Sequence, residues 1–196
     1  LTFRSLNQVH GTIIARDVGH QEPLAPIEAD AHLSAQMNLA LCIRTADCLP
    51  LLAVDLRTGR FGAAHAGWRG LAAGLPRLFV QQFLQLGSRP GDLCLFVGPH
   101  IRKASFDIKD DALSILMRAA DATTRVCSPS QVYDQKSQTF DLLELLRCQT
   151  ADFGLKSFES LAFDTKLDTR FESHRRNRGS ASRQNSFVAR LSLPKE

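Results

Sequence analysis

Tryptophan and tyrosine are almost missing from this chain, with one of each among 196 residues, and methionine occurs twice. The 12 phenylalanines are not interleaved with basic residues in the way that stacks nucleobases. A formal net charge of +4 therefore does not point to nucleic acid. Most of the basic excess sits between Arg170 and Arg183, including His174-Arg175-Arg176-Asn177-Arg178. That stretch reads as a solvated basic face or as a grip for a small anionic substrate. Long apolar runs are missing too, which excludes a transmembrane helix. No basic-then-apolar leader opens the chain, which begins at Leu1, so a natural start that is absent or processed away is expected.

Cysteine is present but unorganised. The five cysteines are an odd number without a CxxC pair or regular spacing. A disulfide framework is not expected, and a reducing, cytoplasmic setting is. Cys42 and Cys94 lie in apolar runs and read as small core residues, whereas Cys127 and Cys148 offer no chemical cue. Repeats, linkers and low-complexity tracts are absent. A single domain over residues 1–196 follows, long enough for a substantial core.

The patterning is that of a mixed α/β domain. Residues 8–15 read as a strand and 15–31, with Gly19, Pro23 and Pro26, as a loop. Leu39 to Thr45 and Leu49 to Leu56 read as strands broken by an Ala-Asp-Cys turn. Arg57-Thr58-Gly59-Arg60 then leads by hairpin into a strand from Phe61 to His65. Leu71, Leu75, Leu78, Phe79, Phe83 and Leu86 recur at helical spacing up to Gly87, with a kink or delayed start expected near Pro76. Leu93 to Val97 reads as a strand, 110–120 and 140–148 as amphipathic helices, and 156–163 and 186–193 as late strands.

Chemistry concentrates in three segments. Cys48 lies in Thr45-Ala46-Asp47-Cys48-Leu49-Pro50, where the proline fixes the chain just past the thiol. His65 lies in Ala64-His65-Ala66-Gly67-Trp68-Arg69-Gly70, whose small residues permit close approach and whose helix start, with Arg69, suits an anion. His10 lies in Gln8-Val9-His10-Gly11. One thiol and two imidazoles suit a zinc or copper site with an open position, and equally a thiol nucleophile with an imidazole base. Each of the three can also be a structural residue. Arg44, Asp47 and Arg69 are candidates to touch substrate or to support the residues that do, with Asp47 alternatively a turn cap and Arg44 alternatively a surface residue. His100 follows Gly98-Pro99 and is a further candidate. Asp168, Arg170, Ser173, Arg175 and Arg183 form a late polar cluster that can hold phosphate or sugar, or simply face solvent.

These segments, with Val97-Gly98-Pro99 and a fainter match from Leu167 to Arg176, resemble the YfiH family over nearly the whole chain. That family is described both as laccase-like, multicopper polyphenol oxidase domain proteins and as purine nucleoside phosphorylases. The resemblance implies a mixed α/β sandwich related to a cysteine-hydrolase architecture. It also implies a zinc ion, or copper in its place, held by His10, Cys48 and His65 as catalytic centre. Relative to the family pattern an N-terminal segment is absent, and the stretch after Gly-Pro reads His100-Ile101-Arg102-Lys103-Ala104-Ser105-Phe106-Asp107. The implied activity is phosphorolysis of adenosine, inosine and methylthioadenosine, with adenosine deamination as a possible second reaction. Arg44, Asp47, Arg69, Arg170 and Arg175 then become substrate or phosphate contacts. Three other outcomes stay open: a cysteine hydrolase editing peptidoglycan precursors, a copper oxidase of phenols, and an inactive binding module. The partners expected are a purine nucleoside and phosphate, not nucleic acid or membrane, and the oligomeric state is undetermined.

Overall fold

A computed structural model describes residues 1–21, 27–108, 110–122, 128–178 and 182–192. Its strands are β1 (Thr2–Arg4), β2 (Ile14–Ala15), β3 (Ala31–Ser34), β4 (Leu39–Thr45), β5 (Leu49–Asp55), β6 (Phe61–Ala66), β7 (Leu93–Val97), β8 (Tyr133–Asp134), β9 (Thr139–Phe140), β10 (Ser157–Ser160) and β11 (Gln184–Arg190). The helices are α1 (Trp68–Ala72), α2 (Leu75–Gln85), α3 (Asp110–Asp121), α4 (Pro129–Val132) and α5 (Leu142–Thr150). A mixed six-stranded sheet runs in the order β10-β7-β5-β6-β3-β2, and a three-stranded sheet in the order β1-β4-β11. Side-chain alternation along the strands explains the layering. Leu39, Leu41 and Ile43 of β4 meet Phe61 and Ala63 of β6 between the two sheets. Ala64 and Ala66 of β6 instead join Leu75, Phe79 and Phe83 of α2 and Leu145 and Leu146 of α5. No described helix is long and apolar enough to cross a membrane.

Most expected elements form near their expected bounds, and the exceptions have physical causes. Residues 8–15 do not make one strand, because only Ile14–Ala15 pairs. The preceding residues turn instead around a buried carboxylate, described below. The loop expected over 15–31 ends in β3, which carries no alternation because all four of its residues are buried. The single long helix divides into α1 and α2 at Gly74, whose φ of 80° is open to glycine. Pro76 then occupies the first turn of α2, where no N–H is needed. This is the delayed start. Among the described residues Cys42, Cys48 and Cys94 are free thiols. Pro23, Pro26 and Cys127 lie outside the described residues.

Candidate active site and metal centre

Strand register brings Cys48 and His65 together. In the antiparallel β5–β6 pair Leu49 lies opposite Ala66 and Pro50 opposite His65. The residues just outside that pair, Cys48 and Gly67, are thereby side by side. A Cβ added to Gly67 would come within 3.1 Å of both Cys48 Sγ and His10 Cδ2, so any side chain there would press on both by a few tenths of an ångström. His10 arrives from the segment between β1 and β2 with a left-handed φ of 62°. Its ring meets that of His65 edge-on, with centroids 4.7 Å apart. The ligand atoms of His10, Cys48 and His65 all lie within 4.8 Å of one another, with His10 exposed, Cys48 half-buried and His65 buried. Two imidazoles and a thiolate at this spacing fit a zinc or copper ion and leave a coordination position open.

A residue that sequence reasoning missed organises this cluster. Asp30 is fully buried. Its Oδ1 accepts the His10 N–H at 2.9 Å and His65 Nδ1 at 2.8 Å. Its Oδ2 accepts the N–H groups of Gly11 at 2.6 Å and Val9 at 3.3 Å. Its carbonyl oxygen accepts the His65 N–H at 2.7 Å. One carboxylate thus shapes the loop that carries one histidine and aims the ring of the other. With Nδ1 engaged, His65 has Nε2 left for the cluster, the arrangement typical of metal-binding histidines. Asp30 sits inside the stretch read as loop, and no local pattern marks it.

Electrostatics bind the group further. Burial pushes the Asp30 carboxyl up, but the bonds from His65 and Gly11 and the attraction of the imidazolium leave it below its ordinary value. Burial pushes His65 down, yet Asp30 and Cys48 raise it to about 9. Burial also pushes the Cys48 thiol up, while hydrogen bonds and charge from His10 and His65 bring it down to about 7. In the metal-free protein the thiolate and the imidazolium thus favour one another, and metal binding would displace protons from the pair.

The cluster opens into a cavity of about 890 Å³. Arg44, Arg69, Arg175 and Arg183 line it, and Trp68, Ile101, Phe106, Ile108 and Leu142 give it an apolar side. Arg69 stacks on Trp68 at 4.4 Å. The helix behind Arg69 is only five residues long, so any grip on an anion there comes from the guanidinium rather than from a long helix end. Gln8 pins the end of β4, donating to the Arg44 carbonyl at 2.7 Å and accepting the Arg44 N–H at 2.8 Å. Arg175 donates to Asp107 Oδ1 at 2.8 Å and lies over Phe106. Arg170 does not line the cavity. It is exposed and paired with Asp168, whose carboxyl it holds down at about 2. Asp47 lines the cavity, but its carboxylate is engaged by Thr165 and by the backbone of Arg175. His100 is buried and bonded to the Gly98 carbonyl, away from the cluster.

The family model described as multi-copper polyphenol oxidoreductase laccase matches residues 2–191. The chain belongs to this family. A purine nucleoside phosphorylase of Deinococcus radiodurans is 39% identical over 109 residues, covering 56% of this chain and 42% of the relative. Purine nucleoside phosphorylase PA4543 of Pseudomonas aeruginosa is 34% identical over 88% of this chain and 68% of the relative. YlmD of Bacillus subtilis, also named a purine nucleoside phosphorylase, is 34% identical over 81% of this chain and 58% of the relative. The chain thus spans between about two fifths and two thirds of these relatives. Protein NMB0706 of Neisseria meningitidis has the same fold, with a TM-score of 0.81 and 27% identity over 98% of this chain and 76% of that one. YlmD of Geobacillus stearothermophilus gives a TM-score of 0.82 at 25% identity, covering 97% and 74%. The mixed α/β architecture is therefore that of the YfiH-type proteins. Among the described residues only one grouping of three such ligands occurs, which offers one metal position rather than several.

Proposed function

We propose that this chain cleaves purine nucleosides with phosphate, taking adenosine, inosine and methylthioadenosine, with adenosine deamination as a second reaction at the same centre. The observation that carries this reading is the single cavity joining the His10, Cys48 and His65 cluster to guanidinium groups and an apolar wall. The names of the relatives support it. In phosphorolysis the bond from ribose C1′ to the purine nitrogen breaks, a phosphate oxygen bonds to C1′, and the purine leaves with a proton on nitrogen. Arg44, Arg69 and Arg175 are the groups we assign to the anionic reactant, with Arg183 beside them. Trp68, Phe106, Ile108 and Leu142 offer a flat base its apolar contact. Asp30 keeps the His65 Nδ1 proton in place, so that Nε2 faces the centre. A zinc ion, or copper in its place, held by His10, Cys48 and His65 would supply Lewis-acid polarisation of a substrate atom. Zinc-loaded protein given inosine should release hypoxanthine and ribose 1-phosphate only when phosphate is present. Absence of ribose 1-phosphate overturns the reading.

One observation favours a second reading, a cysteine hydrolase of peptidoglycan precursors. Asp30, His65 and Cys48 form a carboxylate–imidazole–thiol relay with a lowered thiol pKa. In the metal-free protein, alkylation of Cys48 by iodoacetamide should rise with pH about a midpoint near 7. A covalent Cys48 adduct with a muropeptide precursor, detected by mass spectrometry, would favour this reading. Zinc protection of Cys48 together with phosphorolysis would remove it.

A further inference from the structure

Asp47 is adjacent to Cys48, but its bonds lead to the far end of the sequence. Its Oδ1 accepts the Thr165 hydroxyl at 2.7 Å and its Oδ2 accepts the Arg175 N–H at 2.6 Å. Its carbonyl oxygen accepts the Ile101 N–H at 2.9 Å. Asp47 is 8% exposed and Thr165 fully buried, so the bond between them is shielded from water, while the one from Arg175 is part-buried. The backbone of Asp47 has a φ of 84°, a left-handed conformation that a residue with a side chain keeps only when its surroundings hold it there.

The segment held by Asp47 is itself tied into a knot. Arg176 donates to the carbonyl oxygens of Thr165 at 2.7 Å, Lys166 at 3.1 Å and Phe171 at 2.5 Å. The Thr165 N–H reaches the His100 carbonyl at 3.1 Å. Residues 165–176 thus behave as one piece, and Asp47 fixes that piece beside the Cys48 turn. From it Arg175 extends along the cavity to Asp107 and over the Phe106 ring, 5.3 Å from its centroid.

We propose that Asp47 is a positioning residue whose carboxylate latches the 165–176 segment to the Cys48 turn, so that Arg175 and Phe106 form a substrate-contacting wall of the cavity. The claim about substrate rests on the nucleoside reading above; the latch itself does not. Asp47 acts through Thr165 and Arg175, and it governs how well the substrate is held more than how fast it reacts.

The test compares zinc-loaded wild type with Thr165→Val, Asp47→Asn and Arg175→Ala. Thr165→Val is the cleanest variant, since it preserves shape and lies 118 residues from Asp47 in sequence. Loss of one buried bond to a carboxylate should raise the KM for phosphate, the reactant assigned to Arg175, and for the nucleoside about tenfold, leave kcat within about twofold and speed tryptic cleavage between Lys166 and Arg178 about tenfold. Zinc content should stay at the wild-type level. Arg175→Ala should reproduce the KM change, and its combination with Thr165→Val should add little further. Wild-type proteolysis and KM in both Thr165→Val and Asp47→Asn would overturn the proposal, as would a fall in kcat at unchanged KM. If wild type shows no phosphorolysis, the nucleoside reading and the substrate wall fall with it, while the proteolysis comparison still decides the latch.

Discussion

Asp30 and Asp47 are both buried carboxylates that accept backbone N–H groups, yet they hold different kinds of partner. Asp30 takes three N–H groups from 9–11 and the ring of His65, so it controls a proton as well as a shape. Asp47 takes one N–H and one hydroxyl, both neutral, so it controls shape alone. The difference teaches that a buried acid beside a reactive centre need not be part of its chemistry. What matters is whether its partner can change charge. His32, only two residues beyond Asp30, gives the converse case. Its ring is buried with no acid bonded to it among the described residues, and burial outweighs the Cys42 backbone to push it down to about 3, where His65 with an acid beside it rises to about 9.

The largest effect should come from breaking the Asp30 node. Asp30→Ala strips His65 and three N–H groups of their acceptor, and should cost about 3–5 kcal/mol of stability, read by urea unfolding. Zinc affinity should fall about 10–100-fold, the usual consequence of removing the carboxylate behind a metal-binding histidine. Wild-type zinc affinity in this variant would dissolve the contrast between the two aspartates. Gly67→Ala comes next. It crowds Cys48 Sγ and His10 Cδ2 and should cost up to about 3 kcal/mol, with weakened zinc binding in equilibrium titration. Unchanged zinc binding would show that the cluster has slack.

His32 supplies a pH test. The unfolded chain takes up a proton near the ordinary histidine value of 6.5, whereas folded His32 does so only near 3. Between those values the unfolded state binds the extra proton, so stability is lost as pH falls below 6.5, by at most about 1.4 kcal/mol per pH unit. His32→Leu should flatten that part of the unfolding profile; an unaltered slope assigns the acid sensitivity to other groups. The smallest effect is expected at an exposed acid. Asp152 forms a two-pronged pair with Arg77 at 2.7 and 2.9 Å, but both side chains are more than two-fifths exposed. Asp152→Ala should therefore cost under about 1 kcal/mol in thermal unfolding, and a larger loss would show that burial is not what separates the strong acids from the weak.

Local pattern accounts for how much was legible. Strands β4, β5 and β7 and helix α2 stand out because each buries a regular apolar set, which is a property of neighbouring residues. Strand β3 has no such signature, since both of its faces are covered. Residues 8–15 carry strand-like composition but lose their ladder to Asp30, an acceptor 19–21 residues away. Among the late arginines the spacing is alike, yet Arg175 lines the cavity, Arg176 holds carbonyl groups and Arg170 faces solvent beside Asp168. Nothing in their order distinguishes these fates.

The sequence by itself determined the donors and the elements: one cysteine and two histidines of the right softness, set at the edges of regular segments, with arginines to spare. Only the tertiary structure decided which of them meet. The β5–β6 register sets Cys48 beside Gly67, Asp30 reaches His65 across 35 residues, and Asp47 reaches Thr165 across 118. Hydrophobic periodicity is local and can be read along a chain. A hydrogen bond between distant segments depends on how whole sheets pack, and it leaves no trace in either segment taken alone.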